Sequence, residues 1–275
     1  MDKIGGLEKK MEDWDTIQFA SAKSETKPYL HRRKFDVDRM TLVLMGDMHI
    51  GSKFYDEETH KEHLDWCLTT KSPIILMGDL IETATRYSVG AGVYEQNEIV
   101  DKQIEHFYHL FRPLAEEGLI LGLHCGNHEQ RVYKDSGLDI AKIMARELKV
   151  PYFAFSKLHK LRVGKQNYVL YTTHGNSGAR MPHTKIAAAL RLQAVADADI
   201  YAMGHLHQLS HHVRTSYRVN PRNKKVERCQ RHFILTGSYL SHWGSYAHMS
   251  GLEPVEIGSA KVKLHGETYR VRISL

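Results

Sequence analysis

The sequence predicts an α/β fold, and three observations lead there. Short apolar runs alternate with helix-like stretches over the first two thirds of the chain, the rhythm of strands joined by helical crossovers. Two later runs, 261–264 and 269–273, alternate apolar and polar residues with no helix between them, as antiparallel strands do. Five apolar runs also end in a glycine beside Asp, His or Asn. Open α/β sheets place ligands at the carboxyl ends of strands, and glycine there permits sharp turns and close backbone approach.

In chain order, residues 1–39 show no firm period and hold nine basic against eight acidic residues. They are expected as an extension, loose or docked on the core. Residues 40–275 are expected as one domain, because no shift of composition divides them. Residues 41–46 read as a buried strand, 56–70 as a helix and 73–77 as a strand. The segment 86–95 reads as a loop with two glycines, leading to an amphipathic helix over 96–117. A buried strand at 119–123 and a helix at 138–148, stopped by Val150-Pro151, complete the first half. The second half reads as strand 168–173, Ala-rich helix 185–196, short strand 200–203, a polar basic segment 208–231, and strand 233–236.

Composition excludes several classes. At 42% hydrophobic residues the chain is too apolar for disorder. Its longest apolar runs stop after about five residues, against roughly 20 for a membrane-spanning helix, so no membrane role is expected. The charged N-terminus lacks the apolar stretch of a signal peptide. Cys67, Cys125 and Cys229 are odd in number and widely spaced, which indicates neither a disulfide framework nor a thiolate zinc site. A soluble, cytoplasmic protein of a reducing compartment is the expectation. The unusual count is 19 histidines.

The chemistry lies where polar residues meet strand ends. The first strand runs into Gly46-Asp47-Met48-His49, and in an extended segment residues two apart share a face, so Asp47 and His49 are expected to point the same way. The other ends read Gly78-Asp79, Gly126-Asn127-His128-Glu129, His174-Gly175 and Gly204-His205-Leu206-His207. Each alone is an ordinary turn or surface pair; independent coincidence at five successive strand ends is hard to sustain. Asp47, His49, Asp79, Asn127, His174, His205 and His207 form a mixed N/O set suited to Mn, Fe, Zn, Co or Ni and too nitrogen-rich for Ca or Mg. Seven ligands exceed the needs of one four-coordinate ion. A shared carboxylate would let them serve two, roughly 3.5–4 Å apart, as in sites that clamp a phosphoryl displacement and activate a water.

The order GDMH, GD, GNHE, HG, GHLH resembles that of the calcineurin-like metallophosphoesterases, over roughly residues 41–238. The resemblance implies a four-layer α/β/β/α sandwich with two divalent transition metal ions, manganese first among them, in a cleft. By motif position, Asp47, His49 and His207 would hold one ion, Asn127, His174 and His205 the other, and Asp79 would bridge them. His128 would aid catalysis without binding metal, stabilising charge or protonating the leaving oxygen. The first and last motifs are closest to SbcD-type nucleases and phosphodiesterases. Gly-Asn-His-Glu-Gln-Arg is similar to the protein phosphatase form instead, which makes Arg131 a candidate phosphate clamp.

Metal chemistry leaves the substrate open. Residues 208–231 carry seven basic residues against Glu227, with Tyr217 interleaved. As a loop bordering the cleft, this segment would track DNA or RNA through residues such as Arg214 and Arg218. As a solvated hairpin turning at 220–223 it would do neither. The leading expectation is phosphodiester hydrolysis, with nucleic acid as substrate class. A phosphomonoesterase acting on phosphoprotein or nucleotides and a non-catalytic scaffold on the same fold are the alternatives. Among the other histidines, His60, His63, His106 and His109 fall on expected helices and are placed at the surface.

Overall fold

The computed structural model describes residues 30–85, 88, 92–222 and 224–275. Two six-stranded sheets pack face to face with helices on both outer surfaces, a four-layer α/β/β/α sandwich. One sheet contains β2 (Arg39–Met45), β3 (Ile74–Leu76), β4 (Ile120–His124) and β5 (Tyr152–Ala154), all parallel, with β11 (Ala260–His265) antiparallel beside β2 and β12 (Val271–Ser274) antiparallel to β11 at the edge. The other runs β1 (Leu30–Phe35), β6 (Ser156–Val163), β7 (Gln166–Thr173), β8 (Ile200–Met203), β10 (Lys225–Thr236), β9 (Leu209–Asn220).

Strand alternation builds the layers. Leu42 and Leu44 of β2, Ile75 of β3 and Leu121 of β4 face the second sheet, meeting Leu161, Leu170, Ile200 and Ile234. Their neighbours Val43, Met45, Ile74, Leu76 and Leu123 point outward against α1 (Glu57–Thr70), α2 (Val100–Glu116) and α4 (Ile140–Glu147). Helix α2 presents Phe107, Leu110, Phe111 and Leu114 at helical spacing. Full burial of each such side chain stabilises by about 1.5–3 kcal/mol. On the far side Tyr201, Met203, Phe233 and Leu235 pack on Ala188 and Ala189 of α5 (Pro182–Arg191). No helix among the described residues is long and apolar enough to cross a membrane.

Several elements differ from the sequence reading. The N-terminal end of the second half holds β6, which expectation missed because Lys157 and His159 occupy its buried positions. Of the expected extension, residues 1–29 lie outside the described residues, and Leu30–Phe35 pairs in parallel with β6. The expected loop over 86–95 also lies partly outside the described residues; Gly92–Glu95 forms one 3-10 turn. The motif at 126–129 opens a helix, α3 (Asn127–Ser136), which ends at Gly137 with left-handed φ. Of the two readings of residues 208–231, the antiparallel hairpin is the one observed. His60 is buried, contrary to its expected surface position: it follows the stripe His60, Leu64, Cys67 on the inner face of α1.

Buried histidines away from the motifs form a directed chain. The Ala154 carbonyl only accepts, so His124 donates to it from Nδ1 (3.2 Å) and its Nε2 accepts from the Thr172 hydroxyl at 2.7 Å. Having donated once, Thr172 Oγ1 accepts from His159 Nε2 at 2.7 Å. His159 Nδ1 then accepts from His31 Nδ1 at 2.9 Å. Every imidazole in this chain is neutral, with one donor and one acceptor nitrogen. The chain fastens β1 and β6 to β7 and β4.

Candidate metal centre

All five motifs meet at the carboxyl ends of the two sheets' strands. The first two run side by side beyond β2 and β3: Asp47 N–H donates to Gly78 O (2.9 Å) and His49 N–H to Asp79 O (3.1 Å). The backbone there is not extended. Asp47, His49 and Asp79 have φ of 52°, 53° and 48°, and His205 and His207 have 67° and 52°. Sharing a face therefore comes from repeated left-handed turns, not from strand alternation as the sequence reading assumed. Non-glycine residues adopt this region uncommonly, and such strain collects at functional sites.

Asp47, His49, Asp79 and His207 present ligand atoms within 4.8 Å of one another, and so do Asp79, His174 and His205. Asp79 belongs to both groups. Asn127 Oδ1 lies 2.7 Å from His205 Nδ1 and 3.0 Å from His174 Nε2, which brings it to the second group. Asp47 and Asp79 are almost fully buried.

Glu129 braces this geometry. Its carboxylate accepts the N–H groups of Asp79, Leu80, Ile81 and Gly126 at 2.7–3.2 Å, tying the second motif to the N-terminus of α3. Burial, aided by the Asp79 charge, pushes its carboxyl up to about 7. Gly126 is needed there because a Cβ would stand 2.1 Å from Asp79 Oδ1.

The donor set fits a cation. His174 Nδ1 lies 2.9 Å from the Met77 carbonyl and must donate to it, so Nε2 turns inward, 3.4 Å from Asp79 Oδ2 and 3.0 Å from Asn127 Oδ1. His49 Nδ1 is held by Glu82 Oε2 at 3.1 Å, leaving Nε2 toward His207 Nε2 at 3.2 Å. His207 Nε2 lies 3.2 Å from Asp47 Oδ1. Nitrogen and oxygen acceptors thus converge with only a proton or a cation able to sit among them. Such spacings suit the edges of a polyhedron whose metal–ligand bonds are about 2.0–2.2 Å. Burial opposes ionisation of Asp79, yet the His174 imidazolium beside it holds its carboxyl well below the usual range. Burial likewise opposes a proton on His174, yet Asp79 raises it to about 10. Two buried carboxylates demand positive charge beside them.

His128 sits beside both groups. Its backbone N–H donates to Asp79 Oδ1 at 2.8 Å and its Nδ1 donates to Glu82 O at 2.7 Å. Arg131 donates to its Nε2 at 2.8 Å, which makes the ring neutral, and burial lowers it to about 4. Arg131 also pairs with Glu82 Oε1 at 3.6 Å.

Glu82 is the residue the sequence reading missed. It groups with His49 and His128, backs His49 from behind and balances Arg131. Carboxylates that orient a ligating imidazole tune metal affinity. Glu82→Gln is expected to weaken metal binding by about 10–100-fold while leaving the fold intact; calorimetric titration with Mn²⁺ measures it.

The basic residues are placed differently. Leu209 and Thr236 are paired beside the centre, and β9 runs away from it. At about 3.3 Å per residue, Arg214 and Arg218 lie roughly 16 and 30 Å along the strand. Arg214 bonds Gln193 and Arg218 faces Glu227 at 3.8 Å. Neither is brought to the metal-ligand cluster.

No protein-family model matches the chain, and no curated protein does. Among solved structures, a predicted phosphoesterase of Streptococcus pneumoniae is 14% identical, covers 86% of this chain and 88% of its own, and has a TM-score of 0.39. Vps29 of Entamoeba histolytica, crystallised with zinc, is 16% identical over 86% of this chain and 97% of its own, also at 0.39. GAP50, the anchor in the inner membrane complex of Plasmodium, is 9% identical over 86% and 84%, at 0.39. At these scores the likeness decides nothing about chemistry. The sandwich and the Asp/His cluster at its strand ends do resemble the calcineurin-like metallophosphoesterases, and the cluster is consistent with a dinuclear site.

Proposed function

We propose that this chain is a metal-dependent phosphoesterase that hydrolyses phosphodiesters, with nucleic acid as its substrate class. The observation that carries the reading is the pair of ligand groups sharing Asp79. Asp47, His49, Asp79 and His207 would hold one divalent ion, and Asp79, Asn127, His174 and His205 the other, manganese being the first candidate. Such ions withdraw charge from phosphoryl oxygens and lower the pKa of a water.

The protein's own groups supply the rest. His128, fixed by the Glu82 carbonyl and Arg131, would stand over the reacting phosphate to support developing charge or hand a proton to the leaving oxygen. Arg131 donates to His128 and pairs with Glu82, so it acts as a positioning group for the imidazole rather than as an independent clamp. A monoester dianion gains from a cation dedicated to its second charge, and the commitment of Arg131 favours the diester. The basic residues of β9 and β10 favour a polyanionic substrate.

Purified protein loaded with Mn²⁺ is expected to hydrolyse bis-aryl phosphate and DNA or RNA oligonucleotides faster than aryl phosphate monoesters. Turnover of monoesters alone would replace the diester reading with that of a phosphomonoesterase. Metal binding without turnover of any phosphoester would favour a scaffold.

A further inference from the structure

The hairpin of β9 and β10 does more than close the sheet. Strand β8 pairs with β10 at His232–Leu235, so among the described residues the strand pairing from Arg231 to the turn is between the two hairpin strands alone, while at its base Arg214 bonds Gln193 and Arg231 pairs with Asp197. Residues 214–220 and 225–231 form a two-stranded ribbon about 24 Å long at 3.4 Å per residue, pointing away from the metal centre. A two-stranded hairpin is marginal in water without a face to bury. Yet here Tyr217, Val219 and Val226 are 74%, 65% and 67% exposed.

Register puts these residues together. Val226 is opposite Val219 and Arg228 opposite Tyr217, so directly paired residues place two valines, a tyrosine and an arginine on one face. The other face carries Arg214, Arg218, Lys225 and Arg231, and the turn adds Arg222 and Lys224. Seven basic residues against Glu227 give the hairpin the whole formal charge of the chain, +6.

We propose that this ribbon is a docking arm for duplex DNA, separate from the metal centre. The B-form major groove admits a two-stranded ribbon. The valines and Tyr217 would meet sugars and thymine methyl groups, while Arg228 and the turn residues reach phosphates and base edges. Charge complementarity selects this occupant over the others. A second copy would set +6 against +6. A bilayer would have to accept the Arg228 guanidinium in the middle of the apolar face. A-form RNA offers a major groove too deep and narrow for side chains to read. The inference goes beyond the reading of the centre and does not depend on it, because the arm would hold duplex whether or not the centre cleaves it.

Fluorescence anisotropy of a labelled 20-base-pair DNA duplex with the full chain in EDTA tests this, over a salt series. Binding is expected to weaken with salt, by a slope of about −0.9 per phosphate engaged. Arg222→Ala/Lys224→Ala/Arg228→Ala is expected to lower affinity at least ~10-fold and to flatten the slope by about 2.7, three phosphates' worth. Tyr217→Ala should lower affinity with the slope unchanged. Absence of DNA binding, equal binding by the triple variant, or tighter binding of duplex RNA or anionic vesicles would overturn the proposal. Duplex binding by a protein that, once loaded with Mn²⁺, hydrolyses no phosphoester would leave it standing and count against the phosphoesterase reading instead.

Discussion

Asp79→Ala is expected to lower Mn²⁺-dependent phosphodiester hydrolysis by about 10³-fold or more, since a loss of roughly 4 kcal/mol of transition-state stabilisation has that size. Asp79 is the one side chain common to both ligand groups, and its Oδ1 also accepts the His128 N–H at 2.8 Å. Removing it takes the carboxylate shared by both ligand groups and the anchor of the imidazole together. Asp79→Asn keeps a carbonyl oxygen for His128 but loses the negative charge, so it is expected to fall nearly as far. Steady-state kinetics on bis-aryl phosphate, with near-ultraviolet circular dichroism as the check on folding, measures both. Activity within tenfold of the wild type in either variant would remove Asp79 from its role.

The second large effect is on stability at mild acid. Burial lowers His60 and His124 to about 3 and His159 well below its usual value. An unfolded histidine titrates near 6.5, so as pH falls through that value the unfolded chain takes up protons that the folded chain refuses. The stabilisation is complete above about 6.5 and lost progressively toward 3. At pH 5 each of the three costs about 2 kcal/mol. Together that approaches the ~5–15 kcal/mol total of a typical domain. Glu129, raised by burial to about 7, works in the opposite direction, so a raw pH profile mixes the two. A variant comparison separates them. His60→Gln cannot take the proton, and the wild type should lose about 2 kcal/mol more than this variant between pH 8 and pH 5, read from urea unfolding in EDTA. An unchanged difference would mean that His60 is protonated in the fold.

The Asp/His cluster was legible because its pattern is local. Each motif follows an apolar run, and glycine beside Asp, His or Asn at a strand end can be read without knowing how the strands pair. The inference that Asp47 and His49 share a face reached the right residues through the wrong geometry, since left-handed backbone at Asp47, His49 and Asp79 is set by tertiary bonds between the two loops. Glu82 was hidden for a related reason. Its value comes from where it stands against His49, His128 and Arg131, and no spacing within its own segment shows that.

Buried polar residues concealed other elements. His60 was assigned to the surface by its type although its spacing with Leu64 and Cys67 put it inside. The inward positions of β6 are held by Lys157, Leu158's neighbour, and by His159, so the strand read as polar. In the hairpin, Val213, Thr215, Tyr217 and Val219 alternate as in a strand, while basic composition kept a loop at the cleft open beside the hairpin. Pairing with β8 instead aims its turn the other way. The charge concentrated at 208–231 was legible, and pairing decides for the hairpin over the loop at the cleft.

The central claim is that two ions share Asp79, and the most direct measurement is metal content per chain. Protein stripped with chelator, loaded with Mn²⁺ and freed of excess should retain about two ions per chain by plasma mass spectrometry. Fewer than one would contradict the account.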